Sequence, residues 1–290
     1  MESYTYTIAA LLACHNRREK TLSCLHSLFE VSLPETAKVD IFLVNDGSTD
    51  GTGEAVKIQF PGVRVIEGDG NLYWNRGMNL AWHAASETFP YDYYLWLNDD
   101  VILDKNSVIT LLKDIQGLED SDAIIVGACR SGKGGVTYSG YNNLKENIKL
   151  KPEGVIQKCE YFNGNVVLVP SAVSDQVGFL DPIYHHAQGD FDYGLRAKKS
   201  GIYSFVSSGF VGVCELNREL PRWCNPHYSF FERLKSFYSP LGGRPRLTFI
   251  FQRKYIGFAT ALFHYLTIHL RLIFPGLWSK RWNKTVTEEG

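Results

Sequence analysis

Two adjacent carboxylates, Asp99 and Asp100, interrupt an apolar run in the segment YLWLNDDVIL. Neighbouring like charges repel each other, and burying either one without a partner is costly. A hard divalent ion such as Mg2+ or Mn2+ removes that cost, because it prefers oxygen ligands. The alternative is a plain turn, since Asn and Asp often end strands by bonding their own backbone. The segment therefore indicates either a metal site beyond a strand or a turn, and the rest of the chain has to decide.

A second set of chemistry-bearing residues lies in two segments further along. Trp74 and Asn75 fall in the stretch GDGNLYWN, and Asn163 and Gly164 fall in YFNGN. An aromatic ring offers a large apolar face, which suits the C–H face of a pyranose. Trp74 and its neighbour Asn75 therefore predict contact with a sugar, and core packing of the indole is the alternative. Asn163 and Gly164 predict a turn.

The elements that must position these residues are strands alternating with helices. Buried strands are predicted for four apolar runs, which end near residues 14, 46, 68 and 97. The helix after the second run is expected to begin at a Ser48 or Thr49 cap. Such alternation predicts a parallel sheet with right-handed crossovers, in which ligands bind beyond the carboxyl ends of the strands.

Polar residues fall at each of these four strand ends. Asn16 follows the first strand, Asp46 ends the second, the loop 70–75 follows the third, and Asp99 and Asp100 follow the fourth. The carboxyl ends of parallel strands meet at one edge of a sheet. A site at this edge is therefore favoured over a stray turn.

The second half of the chain has a less regular pattern. Strands are predicted at 123–130, 164–170 and 202–214, and a helix ending at Gly201 precedes the last of them. The Gly-, Asn- and Lys-rich stretch between the first two strands is predicted to form mobile loops. From about residue 219 the composition becomes aromatic and basic.

Composition excludes several classes of protein. The chain has 290 residues, 44% of them hydrophobic, and a net charge of −1, so no basic footprint points to nucleic acid. Six cysteines are scattered without CxxC pairs, which is typical of a reducing cytosol rather than of a disulfide framework or a zinc site. The N-terminal stretch lacks the basic start and long apolar core of a signal peptide. We therefore expect a cytoplasmic protein.

Four motifs resemble those of the inverting glycosyltransferase family 2, which has the GT-A fold. They stand in the family's order and cover roughly residues 5 to 217: ACHNRREKTLSCLHSL, LVNDGSTDGT, LWLNDDVIL and GDFDYGLRAKKSG. The stretch GDGNLYWNRGMNLAW is further similar to rhamnosyl- and galactofuranosyl-type transferases that act on bacterial surface polysaccharides. The resemblance implies an α/β fold with a Rossmann-like, mostly parallel sheet flanked by helices, and a helical C-terminal extension.

The resemblance also implies roles on the donor side. Asp46 stands where the family has the Asp that contacts the nucleotide base; an Asx-turn before Gly47 is the alternative. Asp100 is implied as the ligand of a divalent metal, Mg2+ or Mn2+, with Asp99 directed towards the ribose or the metal. Asn16 is predicted to bind the nucleotide. The metal would bridge the diphosphate and neutralise charge on the leaving nucleoside diphosphate.

On the acceptor side, Asp190 matches the first Asp of the family's ED motif, the general base that takes a proton from the attacking hydroxyl. Asp192 is the alternative base, although a role in capping the following helix is favoured. Arg196, one turn later, is placed either to pair with Asp192 or to approach phosphate, and a structural salt bridge with Asp192 is favoured. Asn163 and Gly164 fit a turn in the acceptor site. Two positions depart from the family pattern: Asn98 replaces the first acid of the DxD-like motif, and Gly189 replaces the usual Glu.

The implied function is transfer of a sugar from a UDP- or dTDP-sugar to a saccharide acceptor. The resemblance further implies that this acceptor is lipid-linked and that the pathway is bacterial surface polysaccharide synthesis. Residues 1–218 are predicted to form the GT-A catalytic domain, with 1–120 binding the nucleotide sugar and 121–218 holding the acceptor and the base. The alternative function is a catalytically inert relative that binds nucleotide sugar or anchors an assembly at a membrane. Asn98 and Gly189 give that alternative some weight, and the enzyme remains the main hypothesis.

Residues 219–290 are predicted to form the helical extension. The segment 255–278 is strongly apolar but is interrupted by His264, His269 and Arg271, which argues against a membrane-spanning helix. Basic residues flank it, and aromatic residues are frequent, as in helices that lie on anionic lipid. We therefore expect a peripheral protein at the inner face of the cell membrane. The alternative is a helical hairpin packed on the catalytic domain or on a second subunit, as in a homodimer.

Overall fold

The structure, a computed structural model, describes residues 6–118, 122–144, 146–216 and 219–276. The chain divides into two compact units. The first comprises Met1–His185 and Gly189–Glu215, and the second comprises His186–Gln188 and Leu216–Gly290.

The first unit begins with the predicted alternation of strands and helices. In chain order the elements are β1 (Tyr6–Cys14), α1 (Arg18–Phe29), β2 (Ala37–Asp46), α2 (Thr52–Gln59), β3 (Val63–Gly68), α3 (Tyr73–Thr88) and β4 (Tyr93–Leu97). β1 pairs in parallel with β2 and with β4, and β2 pairs in parallel with β3. The carboxyl ends of these four strands therefore share one edge of the sheet, as the sequence predicted.

Strand β1 explains why its sequence is an unbroken apolar run. Its residues point alternately to the two faces of the sheet. Ile8 and Leu12 join the core on the side of α1, whereas Ala9 and Leu11 join the core on the side of α3. All four are fully buried, so a polar side chain on either face would lose its water without gaining a partner.

The rest of the first unit extends the same sheet and adds a separate two-stranded sheet. The elements are β5 (Ile102–Leu103), α4 (Ser107–Gln116), β6 (Ile124–Arg130), β7 (Val136–Tyr138), β8 (Gly140–Tyr141), β9 (Gln157–Cys159), β10 (Tyr161–Phe162), β11 (Val166–Pro170), α5 (Ser171–Val177), α6 (Gly189–Lys199) and β12 (Ser204–Val213). Among the described residues the main sheet runs β3-β2-β1-β4-β11-β6-β12-β5. β11 is antiparallel to β4, with Val166 opposite Leu97. The start of β11 therefore lies beside the carboxyl end of β4.

The stretch predicted as mobile loops instead contains four short strands. β7 pairs with β6, β9 pairs with β12, and β8 pairs with β10. The rings of Tyr141 and Tyr161 stack at 4.9 Å between centroids across the last pair. Strands of two or three residues leave no periodic signal, and their partners are distant in sequence, so composition alone predicted loops.

The start of α2 also differs from the prediction. The helix begins at Thr52, and Asp50 rather than Ser48 or Thr49 serves its first turn, because Asp50 Oδ1 accepts a hydrogen bond from the Thr52 amide at 3.0 Å. Ser48 and Thr49 instead bond Asn16: the Asn16 amide donates to Ser48 Oγ at 3.0 Å, and the Thr49 amide donates to Asn16 Oδ1 at 2.7 Å. The two residues thus join the loops that follow β1 and β2.

The second unit is helical in its described residues. It contains a 3₁₀ turn (Arg222–Cys224), α7 (Phe230–Tyr238), α8 (Pro245–Tyr255) and α9 (Phe258–Ile273). Its small core includes Phe237, which is fully buried and packs edge-on against His269 at 4.9 Å. Arg233 is buried and donates from Nε and Nη2 to the Leu272 carbonyl at the end of α9, where a cation complements the helix dipole. In the described part of the chain no helix is both long and apolar enough to cross a membrane.

Candidate active site

The carboxyl edge of β1 to β4 gathers charged side chains from two strand ends. Arg17, three residues after β1, donates from Nη1 to Asp99 Oδ1 at 2.8 Å and from Nη2 to Asp100 Oδ2 at 2.6 Å. Lys20 Nζ lies 4.0 Å from the same oxygen of Asp100. One guanidinium thus bridges both carboxylates that follow β4.

Burial and the neighbouring charges shift the pKa values of Asp99 and Arg17. Only 3% of Asp99 is exposed, and burial raises its pKa to about 6, while Arg17 opposes that rise and Asp100 adds to it. Burial lowers the pKa of Arg17, but the charges of Asp99 and Asp100 outweigh that effect and raise the pKa above its usual value. Arg17 is therefore a fixed positive charge beside a carboxylate that has almost no contact with water.

Sequence reasoning did not identify Arg17. Its position in CHNRRE directly after β1 placed it at the carboxyl edge, which was the available signal. What the sequence lacked was the order of the strands: β1 and β4 are neighbours, so a side chain following β1 reaches the residues that follow β4.

The donor set around Asp100 suits a hard divalent cation only in part. The Asp100 side chain is 20% exposed, whereas Asp99 is 4% exposed and has one oxygen bonded by Arg17 and the other by Thr21 Oγ1 at 3.3 Å. Cys214 Sγ lies 3.6 Å from Asp100 Oδ1, but sulfur is a soft ligand, whereas Mg2+ and Mn2+ prefer oxygen. Within the described ranges no group of three or more His, Cys, Asp or Glu side chains is placed to hold a metal. A cation here would therefore depend on Asp100 and on oxygens brought by a ligand or water.

Asp46 organises the loop between β3 and α3. Its Oδ1 accepts from the Gly70 amide and its Oδ2 accepts from the Tyr73 amide, both at 2.8 Å, and only 3% of the residue is exposed. Gly47, with φ of 62°, lets the two loops approach closely, since a Cβ there would lie 2.8 Å from Gly70 Cα. The bonds run to a distant loop rather than to the local turn of the Asx alternative. Contact of Asp46 with a nucleobase stays a prediction.

Asn16 holds the other side of this edge. It has φ of 50°, in the left-handed region that Asn tolerates better than most residues. Through Ser48 and Thr49 it ties the loop after β1 to the loop after β2, and it remains exposed. An exposed amide at this point is compatible with the predicted nucleotide contact.

Trp74 connects the acidic segment with the predicted base. Its Nε1 donates to Asn98 Oδ1 at 2.6 Å, and a Cβ on Gly164 would lie 2.6 Å from the indole ring. The Gly164 amide donates to Asp190 Oδ2 at 3.0 Å. Trp74 also packs edge-on against Trp96 in the core, at 6.4 Å between ring centroids. The ring therefore packs on the core and also lies between Asn98 and Gly164, and its contact with a sugar stays a prediction.

The two carboxylates at the start of α6 have different environments. Asp190 is partly exposed and accepts from the Gly164 and Phe191 amides, at 3.0 and 2.9 Å. Asp192 is completely buried and accepts from Arg196 Nε at 2.8 Å. The salt bridge predicted between Asp192 and Arg196 is confirmed. Part of Asp190 is therefore accessible to solvent, whereas Asp192 is enclosed in the protein. The role of Asp190 as a general base stays a prediction.

Asn75 is buried and bonds the loop before α6. The residue has no exposed surface, and its Nδ2 donates to the carbonyls of Asp181 and Tyr184, both at 2.8 Å. These bonds position that loop, and contact of Asn75 with a sugar stays a prediction. The same packing explains Gly189, because a Cβ there would lie 1.7 Å from Asn75 Oδ1. The position of the family's usual Glu is filled by Asn75.

Asn163 lies beside these residues but bonds away from Asp190. Its amide donates to the Ser139 carbonyl at 3.1 Å, and its Oδ1 accepts from Tyr141 at 3.1 Å. It is partly exposed next to Gly164. An acceptor contact at Asn163 and Gly164 stays a prediction.

Relatives of the chain are glycan-forming enzymes. The poly-beta-1,6-N-acetyl-D-glucosamine synthases of Staphylococcus epidermidis and Staphylococcus aureus (strain COL) are each 28% identical to it, over 116 and 110 residues that make up 38% of this chain and 25% of theirs. The chain thus spans about a quarter of the length of the curated relatives it matches.

Solved structures share the fold. S. aureus TarS 1-349 in complex with UDP-GlcNAc matches 88% of this chain and 69% of its own, with a TM-score of 0.56 and 14% identity. S. aureus TarS 1-349 matches 72% and 60%, with a TM-score of 0.53 and 15% identity. At such identities the likeness concerns the fold, which is the GT-A arrangement predicted from the sequence. The sequence model of glycosyl transferase family 2 matches residues 10–172, more than half of the chain. The chain therefore belongs to glycosyl transferase family 2.

Proposed function

We propose that the protein is an inverting, metal-dependent glycosyltransferase that moves a sugar from a UDP- or dTDP-sugar to a saccharide, carried on a lipid, in bacterial surface polysaccharide synthesis. The observation that carries the proposal is the placement of charge at one sheet edge. Asp100, partly exposed beside Arg17, and Asp190, partly exposed beside Gly164, are linked through Trp74 and Asn98. In this proposal Asp100 binds the donor and Asp190 is the base of the same site.

On the donor side, the relatives support a UDP-sugar. TarS has been solved with UDP and with UDP-GlcNAc, and the matched synthases are named for poly-N-acetylglucosamine. In this proposal Asp100 would hold a divalent cation, which would supply positive charge to the leaving diphosphate. Arg17, a permanent cation at the same edge, contributes to the field that attracts the diphosphate. Asn16 and Asp46 then lie on the nucleoside side.

On the acceptor side, Asp190 takes the proton of the attacking hydroxyl. Amides of Gly164 and Phe191 fix the orientation of its carboxylate, so the base does not have to be ordered during the reaction. Direct displacement by the acceptor hydroxyl requires no covalent sugar–enzyme intermediate and inverts the anomeric centre. Trp74 and Gly164 border the space next to the base, where either sugar would lie.

Binding is tested with a thermal-shift panel of UDP-, dTDP- and GDP-sugars, each in Mn2+ and in EDTA. UDP- or dTDP-sugars should raise the unfolding temperature in Mn2+, and Asp100→Asn should remove that rise. Asp175→Asn, an exposed carboxylate on α5, is the matched control and should leave it unchanged. Equal binding in EDTA and in the Asp100 variant would show that the metal assignment is wrong.

Turnover separates an enzyme from an inert nucleotide-sugar-binding relative. The donor that stabilises the protein is incubated with Mn2+, and release of the nucleoside diphosphate is followed with and without saccharide acceptors. An enzyme releases the diphosphate faster with an acceptor, and release requires Asp190. Tight donor binding would favour the inert relative if, with every acceptor, the wild type released nucleoside diphosphate no faster than the Asp190→Asn variant.

A further inference from the structure

The second unit exposes a continuous apolar face on α9. Large hydrophobic side chains recur every three or four residues, each between 40% and 61% exposed: Phe258, Leu262, Leu266, Leu270 and Ile273. Phe263, 63% exposed, widens the same stripe. The opposite side of the helix carries Ala261 and Leu272, which are buried within the unit. An isolated exposed leucine needs no explanation, but a stripe of six large apolar side chains marks an interaction surface.

The charge of this unit indicates what the apolar face binds. Residues 219–276 contain eight Arg and Lys residues and only two acidic residues, Glu219 and Glu232, although the whole chain has a net charge of −1. Arg246 and Arg253 are exposed and seven residues apart on α8, which places them on the same side of that helix. A strongly positive unit complements a negatively charged surface and repels a second copy of itself.

We propose that the apolar face of α9 and the basic residues of its unit dock the protein on the surface of an anionic phospholipid bilayer. The 16 residues of α9 span about 24 Å, less than the roughly 30 Å hydrocarbon core of a bilayer. The helix therefore lies in the interface, with its apolar stripe among the acyl chains and the cations at the headgroups. Such docking would hold the protein where a saccharide on a lipid carrier is found, and it does not depend on the proposed reaction.

The test is flotation of the full chain with vesicles of phosphatidylcholine alone or of phosphatidylcholine with phosphatidylglycerol, without donor or acceptor. Binding should be strong on the anionic vesicles and should weaken in high salt, while an apolar part of the affinity survives. The double change Phe263→Gln with Leu266→Gln should lower affinity roughly tenfold or more, since it removes two apolar side chains that would become buried in the bilayer. The matched control is Ile58→Gln with Ile148→Gln, which alters two side chains exposed by 80% and 56% in the first unit and should leave affinity unchanged.

The electrostatic part is tested with Arg246→Gln and Arg253→Gln together. At low salt these changes should lower the affinity for anionic vesicles roughly tenfold or more, with little effect at high salt. Lys113→Gln with Lys133→Gln, two exposed cations of the first unit, is the control. Unchanged unfolding temperatures verify that all variants are folded. If the protein ignores anionic vesicles and the α9 variant instead dissociates a dimer in light scattering, the face is a subunit interface and the lipid proposal is wrong.

Discussion

Replacing Arg17 by Gln should destabilise the metal-free protein in a way that depends on pH. The change removes the cation that bridges Asp99 and Asp100 and leaves a buried carboxylate without its main partner. Breaking a buried ion pair costs about 3–5 kcal/mol, whereas an exposed pair contributes about 0–1 kcal/mol. The Asp99 side chain is 4% exposed but that of Arg17 is 39% exposed, so we expect a loss of about 1–3 kcal/mol between these limits.

The sign of the pH dependence follows from Asp99. Burial already raises its pKa to about 6, and removal of Arg17 raises it further. A carboxyl group whose pKa is raised in the folded state contributes its full stabilisation below its pKa in the unfolded chain, near 3.9. That contribution is lost as the pH rises through its pKa in the folded state. The stability gap between wild type and Arg17→Gln should therefore be small near pH 4 to 5 and widen towards pH 8.

Urea unfolding in EDTA at pH 5 and pH 8 measures this gap. Arg18→Gln is the matched control: it removes the same charge from the adjacent, exposed position of α1 and should cost less than about 0.5 kcal/mol. Mn2+ should restore more stability to Arg17→Gln than to wild type, because the uncompensated carboxylates bind the cation more tightly. If Arg17→Gln and Arg18→Gln lose equal stability at both pH values, Arg17 does not compensate the buried charge and the reasoning is refuted.

The remaining predictions concern the acceptor side and its packing. Asp190→Asn should lower turnover by about 10²–10⁴-fold, the usual scale of general-base catalysis, with donor-induced thermal shifts unchanged; near-normal turnover would move the base elsewhere. Asp192→Asn should act on unfolding rather than on the donor shift, because it breaks an ion pair whose carboxylate is fully buried; a stable variant without activity would contradict that structural role. Gly189→Ala should cost about 1–3 kcal/mol by crowding Asn75, whereas Gly62→Ala, which has open space around it, should not, and calorimetry distinguishes them.

The fold was largely predictable because its strands are apolar runs bounded by polar turns. β3 was predicted to end near residue 68, where the structure ends it, since Val63, Val65 and Ile66 leave an apolar signal even in a partly exposed edge strand. The short pair β8 and β10 was not, because two-residue strands depend on partners far along the chain. Contacts between side chains were harder to predict from the sequence for the same reason. The contact of Arg17 with Asp99 and Asp100 follows from the adjacency of β1 and β4, which local sequence does not encode.

Burial explains the packing of two positions at the site. Asn75 was placed in the loop 70–75, but α3 begins at Tyr73, and Asn75 is buried beneath the loop before α6. Gly189, which replaces the family's usual Glu, is also the residue whose missing Cβ leaves room for Asn75. The departure from the family pattern therefore has a packing reason.

A crystal structure of the protein with UDP and Mn2+, with the anomalous signal of manganese recorded, tests the central claim most directly. The account predicts a manganese peak within coordination distance of an Asp100 oxygen and bridging the diphosphate, with the uridine on the side of Asn16 and Asp46. UDP bound away from the carboxyl edge of β1 to β4, or a manganese peak that does not contact Asp100, would contradict it.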